Sequence, residues 1–164
     1  MNLDKEKLKN FEKLPADVRR EFSLLMNQYG QKKKESHIKS DFMSFVKHVW
    51  PDFIEGSHHK EVAKKFNEIA EGKTKRVIIN MAPRHTKSEF ASYLLPAWMV
   101  GRNPKLKIIQ STNTTELSVR FGRKAKALMD SPEYKEVFKT RLKEDSQAAG
   151  KWETQQGGEY YAAG

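Results

Sequence analysis

The chain contains no cysteine, which excludes a disulfide framework and any thiolate-ligated metal site. It has no apolar stretch near the ~20 residues of a membrane span, and its first ten residues are charged where a signal peptide is apolar. Internal repeats and low-complexity segments are missing too. These absences predict a soluble, cytoplasmic protein with no membrane partner. At 164 residues the chain is about one domain's worth, enough for one core but not for a two-domain enzyme.

What is present is basic charge. Lys and Arg number 31 against 21 Asp and Glu, a net charge of +10. Only 11 of the basic and 9 of the acidic side chains lie in residues 1–56, so +8 of the +10 falls in 57–164. Such an excess points to a polyanionic partner, nucleic acid first. A soluble surface with a basic bias is the alternative.

Read in order, the chain predicts a helical region over 1–56 followed by an α/β region over 57–164. A short helix, a break near Leu14-Pro15 and an amphipathic helix to about Tyr29 come first, with Leu14, Val18, Phe22, Leu25 and Tyr29 as its apolar stripe. Lys32-Lys33-Lys34 reads as a solvated helix end or a phosphate-backbone contact. A second helix runs from Ser40 or Asp41 to Trp50 and is stopped by Pro51. A third runs from His58 to about Glu71 and is ended by Gly72. The period then changes: Val77, Ile78 and Ile79 form a continuous β-branched run, as in a strand buried on both faces. A polar loop follows, then a helix from Lys87 carrying Phe90, Leu94 and Trp98 and kinked by Pro96. A second strand covers Leu106 to Thr112. Strand, helix and strand span about the length of a βαβ unit, so these strands should be parallel. Beyond it, Asn113 is placed to cap a helix with Glu116 at its third position. Arg120, Arg123, Lys124 and Lys126 lie on the outer faces of that helix, the densest basic patch in the chain. Ser131-Pro132 breaks it. A short helix follows, and Lys151 to Ala162 reads as a hairpin around Gly157-Gly158.

The chemistry concentrates between strand and helix. Nucleotide-binding folds hold phosphate where a loop meets a helix start, because free backbone N–H groups and a lysine there attract the anion. Lys87-Ser88 matches the end of the phosphate-loop pattern, but Met81 and Thr86 stand where its two glycines belong. In this role Lys87 balances β- and γ-phosphate charge, Ser88 ligates Mg²⁺, and the N–H groups of His85, Thr86, Lys87 and Ser88 cradle the oxygens of ATP. Arg84 adds a second positive charge. On pattern alone, Lys87 and Ser88 equally well only start a helix.

The run Ala82-Pro83-Arg84-His85-Thr86-Lys87-Ser88-Glu89, then Leu95-Pro96-Ala97-Trp98 and Gly101-Arg102-Asn103-Pro104, resembles the ATPase domain of the large terminase subunit of tailed bacteriophages. Arg120-Phe121-Gly122-Arg123 and the spacing of Trp152, Thr154, Gly157-Gly158 and Tyr160 extend the likeness over residues 40–164. The resemblance implies a P-loop ATPase of the ASCE type with a parallel sheet, here preceded by the helical segment and cut short. It implies an ATP- and Mg²⁺-dependent motor in the host cytoplasm that packages double-stranded DNA, works as a homo-oligomeric ring when full length, and partners a portal protein and a small terminase subunit. By position, Arg84 is the loop arginine, Arg120 or Arg123 is a candidate to act on a neighbour's nucleotide, and His58-His59 sits where the family has a segment that lies against the base. The basic helix face equally well meets DNA or solvent.

Two departures follow. Thr86 replaces the family's usual glycine, and its Cβ narrows the cradle. The acidic pair that polarises water, and the nuclease carboxylates, are not among these residues, so the expectation is weak ATP binding with little hydrolysis. The other reading is a non-catalytic basic module that binds DNA or a capsid partner and keeps a degenerate loop.

Overall fold

The computed structural model describes residues 14–145 and 148–164; the short helix expected before Leu14 lies outside them. The chain divides into two compact units, one ending at Ser36 and one running from His37 to Gly164. Helix α1 (Ala16–Ser40) runs across the division. It does not stop at Tyr29, and Gly30 and the lysine triplet lie inside it. The reason is conformational, since Gly30 is not among the residues with positive φ and so supplies no left-handed stop. Of the expected stripe, Val18, Phe22, Leu25 and Tyr29 lie on α1 and Leu14 just before it, and each is at least 40% exposed.

The second unit holds α2 (Phe42–Val49), α3 (Ser57–Ala70) and α4 (Lys87–Glu89), a π-helical turn at Phe90–Leu94, and α5 (Leu95–Arg102). Strand β1 (Lys107–Ser111), α6 (Thr115–Asp130), α7 (Pro132–Val137), β2 (Lys151–Glu153) and β3 (Glu159–Ala163) complete it. Residue 56, the expected region boundary, falls between α2 and α3, which pack directly together. Asp41 caps α2 by accepting from Ser44 N–H at 2.7 Å, and it accepts from Asn67 Nδ2 of α3 at 2.8 Å. Asn67 Oδ1 in turn accepts from Phe42 N–H at 2.8 Å. Burial opposes the charge of Asp41, but these hydrogen bonds outweigh it and hold the carboxyl below its usual range.

The core is aromatic. Phe42 is fully buried and meets Phe66 of α3 at 5.0 Å, Phe90 of the π turn at 5.4 Å and Trp98 of α5 at 5.4 Å, all edge-on. Trp98 Nε1 donates to the Ile38 carbonyl, and the Arg102 guanidinium lies 4.7 Å over its ring. The expected Pro96 kink takes the form of the π turn. Pro96 has no N–H to donate and its ring crowds the carbonyl one turn back, so the ladder widens just before it, with Leu95 N–H reaching Phe90 O.

The α/β class expected of this region holds, but the sheet is mixed and three-stranded, ordered β1-β3-β2. β1 pairs in parallel with β3, and β2 pairs antiparallel with β3 as the expected hairpin, with Gly157 at φ 91° in its turn. The strand expected over Lys75 to Asn80 does not form. Ile78 is 90% exposed while Ile79 only leans on the core. Val77-Ile78-Ile79 has strand composition, but a strand also needs a neighbouring backbone, and no strand among the described residues pairs with this segment, β1 at the sheet edge being paired with β3 alone. The helix cap is corrected as well. Thr114, not Asn113, accepts from Leu117 N–H at the start of α6.

The hairpin turn locks onto the Gly101-Arg102-Asn103-Pro104 turn. Thr154 Oγ1 donates to Pro104 O at 2.5 Å and accepts from Gly158 N–H at 2.8 Å. A Cβ on Gly158 would stand 2.3 Å from the same carbonyl. Gly158→Ala is therefore expected to destabilise the chain by about 1–3 kcal/mol, as overpacking against backbone does. Urea unfolding checks this, and an unchanged midpoint would refute it.

Candidate functional site

From Asn80 the chain enters the loop through half-buried Met81 and exposed Ala82, Pro83, Arg84 and His85. Two of its residues take positive φ, Arg84 at 64° and Thr86 at 59°. A left-handed conformation costs an L-residue roughly 1–2 kcal/mol, and a β-branched residue there is a true outlier. Thr86 occupies the position where the resembled family carries glycine, and its backbone adopts the conformation that glycine takes freely. Lys87 and Ser88 then open the helix, both exposed.

What holds Thr86 is a chain of hydrogen bonds whose directions are all determined. Gly56 N–H donates to His59 Nδ1 at 2.9 Å, closing the start of α3. The imidazole is therefore neutral with its proton on Nε2, which donates to Thr86 Oγ1 at 2.6 Å. The threonine hydroxyl passes its own hydrogen to the His85 carbonyl at 2.7 Å. Each such bond contributes about 0.5–1.5 kcal/mol, enough together to offset the backbone cost. His59 is buried, and its ring is flanked by Phe53 at 4.8 Å and Phe90 at 5.3 Å.

Two further histidines join it. The His58 ring lies 3.8 Å from His59 and 5.5 Å from His85, and His85 Nδ1 donates to Pro83 O at 2.9 Å, bracing the loop tip. These three do not form a metal site; among the described residues no group of three or more His, Cys, Asp or Glu is arranged to hold one. Lys87 Nζ donates to Met81 O at 3.0 Å, so the lysine folds back along its own loop. Of the residues named from sequence, His58, Arg84, His85, Thr86, Lys87 and Ser88 thus share one loop and its flank. Arg120 and Arg123 are exposed on α6 and make no ion pair among the described residues. It is Lys124 that ties α6 to the loop helix, reaching both oxygens of Glu89 at 3.1 and 3.0 Å and lying 5.2 Å over the Tyr93 ring. Lys124 is thereby removed from the expected basic patch. Burial, then the charge of Glu89 and a hydrogen bond to it, push the Tyr93 hydroxyl up to about 12, so it stays protonated.

The resemblance sets His59 with His58 against the base, and its bond to Thr86 is what sequence reasoning missed. The signal was a histidine doublet after Gly56 at a helix start, where the third helical residue turns back to the cap. Burial first, then the positive fields of His58 and His85 against the opposing Glu55, lower its pKa. With the folded pKa depressed, the unfolded chain takes up the proton first. Stability is then full above the ordinary histidine value of ~6.5 and falls as pH drops below it. The thermal midpoint is expected to decline from pH 7 to pH 5, with a shallower decline in His59→Gln. Equal slopes in both proteins would refute the assignment.

No protein family, characterised protein or solved structure matches the chain. No helix among the described residues is long and apolar enough to cross a membrane.

Proposed function

We propose that residues 81–88 form a phosphate-binding loop and that the chain is the ATP-binding portion of a DNA-packaging motor of the terminase large-subunit kind. The observation that carries this reading is the left-handed backbone of Thr86 directly before Lys87-Ser88 at a helix start. Conformations of the left-handed and right-handed sense in succession turn consecutive N–H groups towards one side, a concavity that suits an anion. The side chains fit the same ligand, with Arg84 and Lys87 cationic and Ser88 carrying a hydroxyl for a hard cation.

In this reading Lys87 exchanges the Met81 carbonyl for a phosphate oxygen, Arg84 adds charge at the loop tip, and His58 borders the base side. When bound, Mg²⁺ neutralises phosphate charge beside Ser88. Hydrolysis is expected to be slight, because no apolar run in these residues ends in paired carboxylates to polarise water. Arg120 and Arg123 remain candidates for a trans-acting arginine or for the DNA backbone. The motifs that prompted the resemblance also have structural roles. Trp152 Nε1 donates to Gly122 O at 3.3 Å, and Trp152 stacks on Tyr160 at 4.7 Å. Those motifs therefore support the fold of this unit more than its chemistry. Portal, small subunit and ring partners belong to the proposal in the same way.

Titration of the full chain with ATP, with and without Mg²⁺, tests the reading. Saturable, Mg²⁺-dependent binding supports it. Salt-sensitive binding of double-stranded DNA with no nucleotide binding would replace it with the basic-module reading.

A further inference from the structure

We infer that His59 is a positioning residue for the loop: its Nε2–H, aimed by the Gly56 N–H on the opposite ring nitrogen, holds Thr86 in the left-handed conformation and so sets the direction of the N–H groups at Lys87 and Ser88. The nucleotide half of this inference rests on the phosphate-loop reading; the conformational half does not. A glycine reaches positive φ because it has no Cβ. Threonine does not reach it unaided, and the hydroxyl is the only part of its side chain that can be tied down. Both ends of that hydroxyl are tied, one to the His59 ring at 2.6 Å and one to the His85 carbonyl at 2.7 Å. The His59 ring cannot swing away freely, being buried between Phe53 and Phe90 and fixed by the cap of α3. Among the described residues no hydrogen bond or ion pair joins His59 to Lys87 or Ser88; it acts on them through Thr86. A fixed imidazole at 59 thus makes a hydroxyl-bearing residue serve at position 86, where glycine would need no such support.

The consequence is a conditional one. His59 matters while residue 86 is threonine and ceases to matter when it is glycine. The experiment is a double-mutant cycle on the full chain with His59→Ala, Thr86→Gly and the pair, read in two ways. Titration with Mg²⁺ and a non-hydrolysable ATP analogue is expected to show binding weakened about fivefold or more by His59→Ala, tightened by Thr86→Gly, and insensitive to His59→Ala in the Thr86→Gly background. His59→Gln, whose amide N–H replaces the Nε2 donor, is expected to recover most of the loss. The second readout needs no nucleotide. The ¹⁵N shifts of the parent ring at neutral pH should report protonated Nε2 and bare Nδ1, and the drop in thermal midpoint from His59→Ala should be smaller in the Thr86→Gly background. An Nδ1-protonated ring, equal drops in both backgrounds, or a pair that binds as weakly as His59→Ala alone would overturn the inference. If the parent binds no nucleotide, the phosphate-loop reading fails, and ring nitrogens and midpoints still decide the role of His59.

Discussion

Lys87→Ala is expected to weaken Mg²⁺-dependent nucleotide binding by about a hundredfold or more. Removing a charged donor from a polyphosphate forfeits a charge-assisted hydrogen bond and leaves phosphate charge uncompensated, and a hundredfold corresponds to ~2.7 kcal/mol. The fold should hardly register the change. The ammonium is exposed and its one described hydrogen bond is to the Met81 carbonyl, so the stability change should lie within about 0.5 kcal/mol. That separation is the value of the variant, because lost binding cannot be blamed on unfolding. Isothermal titration of parent and variant, with urea unfolding alongside, measures both. Parent-like affinity in a folded Lys87→Ala protein would remove the loop from any nucleotide role. Lys87→Arg should keep the charge but recover only part of the affinity, since a planar fork does not replace a compact ammonium.

Phe42→Ala is expected to be the most damaging single substitution in the helical layer, costing about 3–5 kcal/mol. Its ring meets three others edge-on, Phe66, Phe90 and Trp98, and edge-on aromatic pairs each add roughly 0.5–1.5 kcal/mol beyond burial. The cavity would open where α2, α3 and the loop helix converge, and α2 and α3 cannot close together over it without disturbing the Asp41-Asn67 bonds that set their spacing. In a domain of this size the thermal midpoint should fall by on the order of 10 °C. A loss below about 1 kcal/mol in chemical denaturation would show that the three rings repack, contrary to the arrangement described.

Legibility followed the range of the forces involved. Helices α2 and α3, the Ser131-Pro132 break and the Gly157 hairpin are local matters of capping, period and turn chemistry, and they stand within a residue or two of their expected places. Strand pairing is not local. The run Val77-Ile78-Ile79 looks like a buried strand in isolation, and only the neighbouring backbone decides whether it becomes one. α1 runs on past Tyr29 because Gly30 lowers helix propensity without dictating a stop, and the three lysines after it are good helix formers. In the loop, the pattern of Lys87 and Ser88 places them at a helix start, where they stand. The positive φ of Thr86 and its bond to a histidine 27 residues earlier were not readable, because no spacing rule connects α3 to the loop.

The π turn at Phe90–Leu94 also has a consequence for how length changes would be tolerated. A π turn carries one residue more than the α-helix it interrupts, and each helical residue turns the chain by about 100°. Trp98, buried and bonded to Ile38, anchors the helix downstream. A π turn advances by only about 80° per residue, so its surplus residue is absorbed within the turn and the helix on either side keeps its phase. Removing one residue from 90–94 would restore an α-helical ladder and leave Lys87 and Ser88 facing much as they do now, whereas a single deletion between Leu95 and Trp98 would turn them by about 100° about that anchor. The surplus residue therefore marks where the length between the aromatic anchor and the cationic loop can change without redirecting the loop.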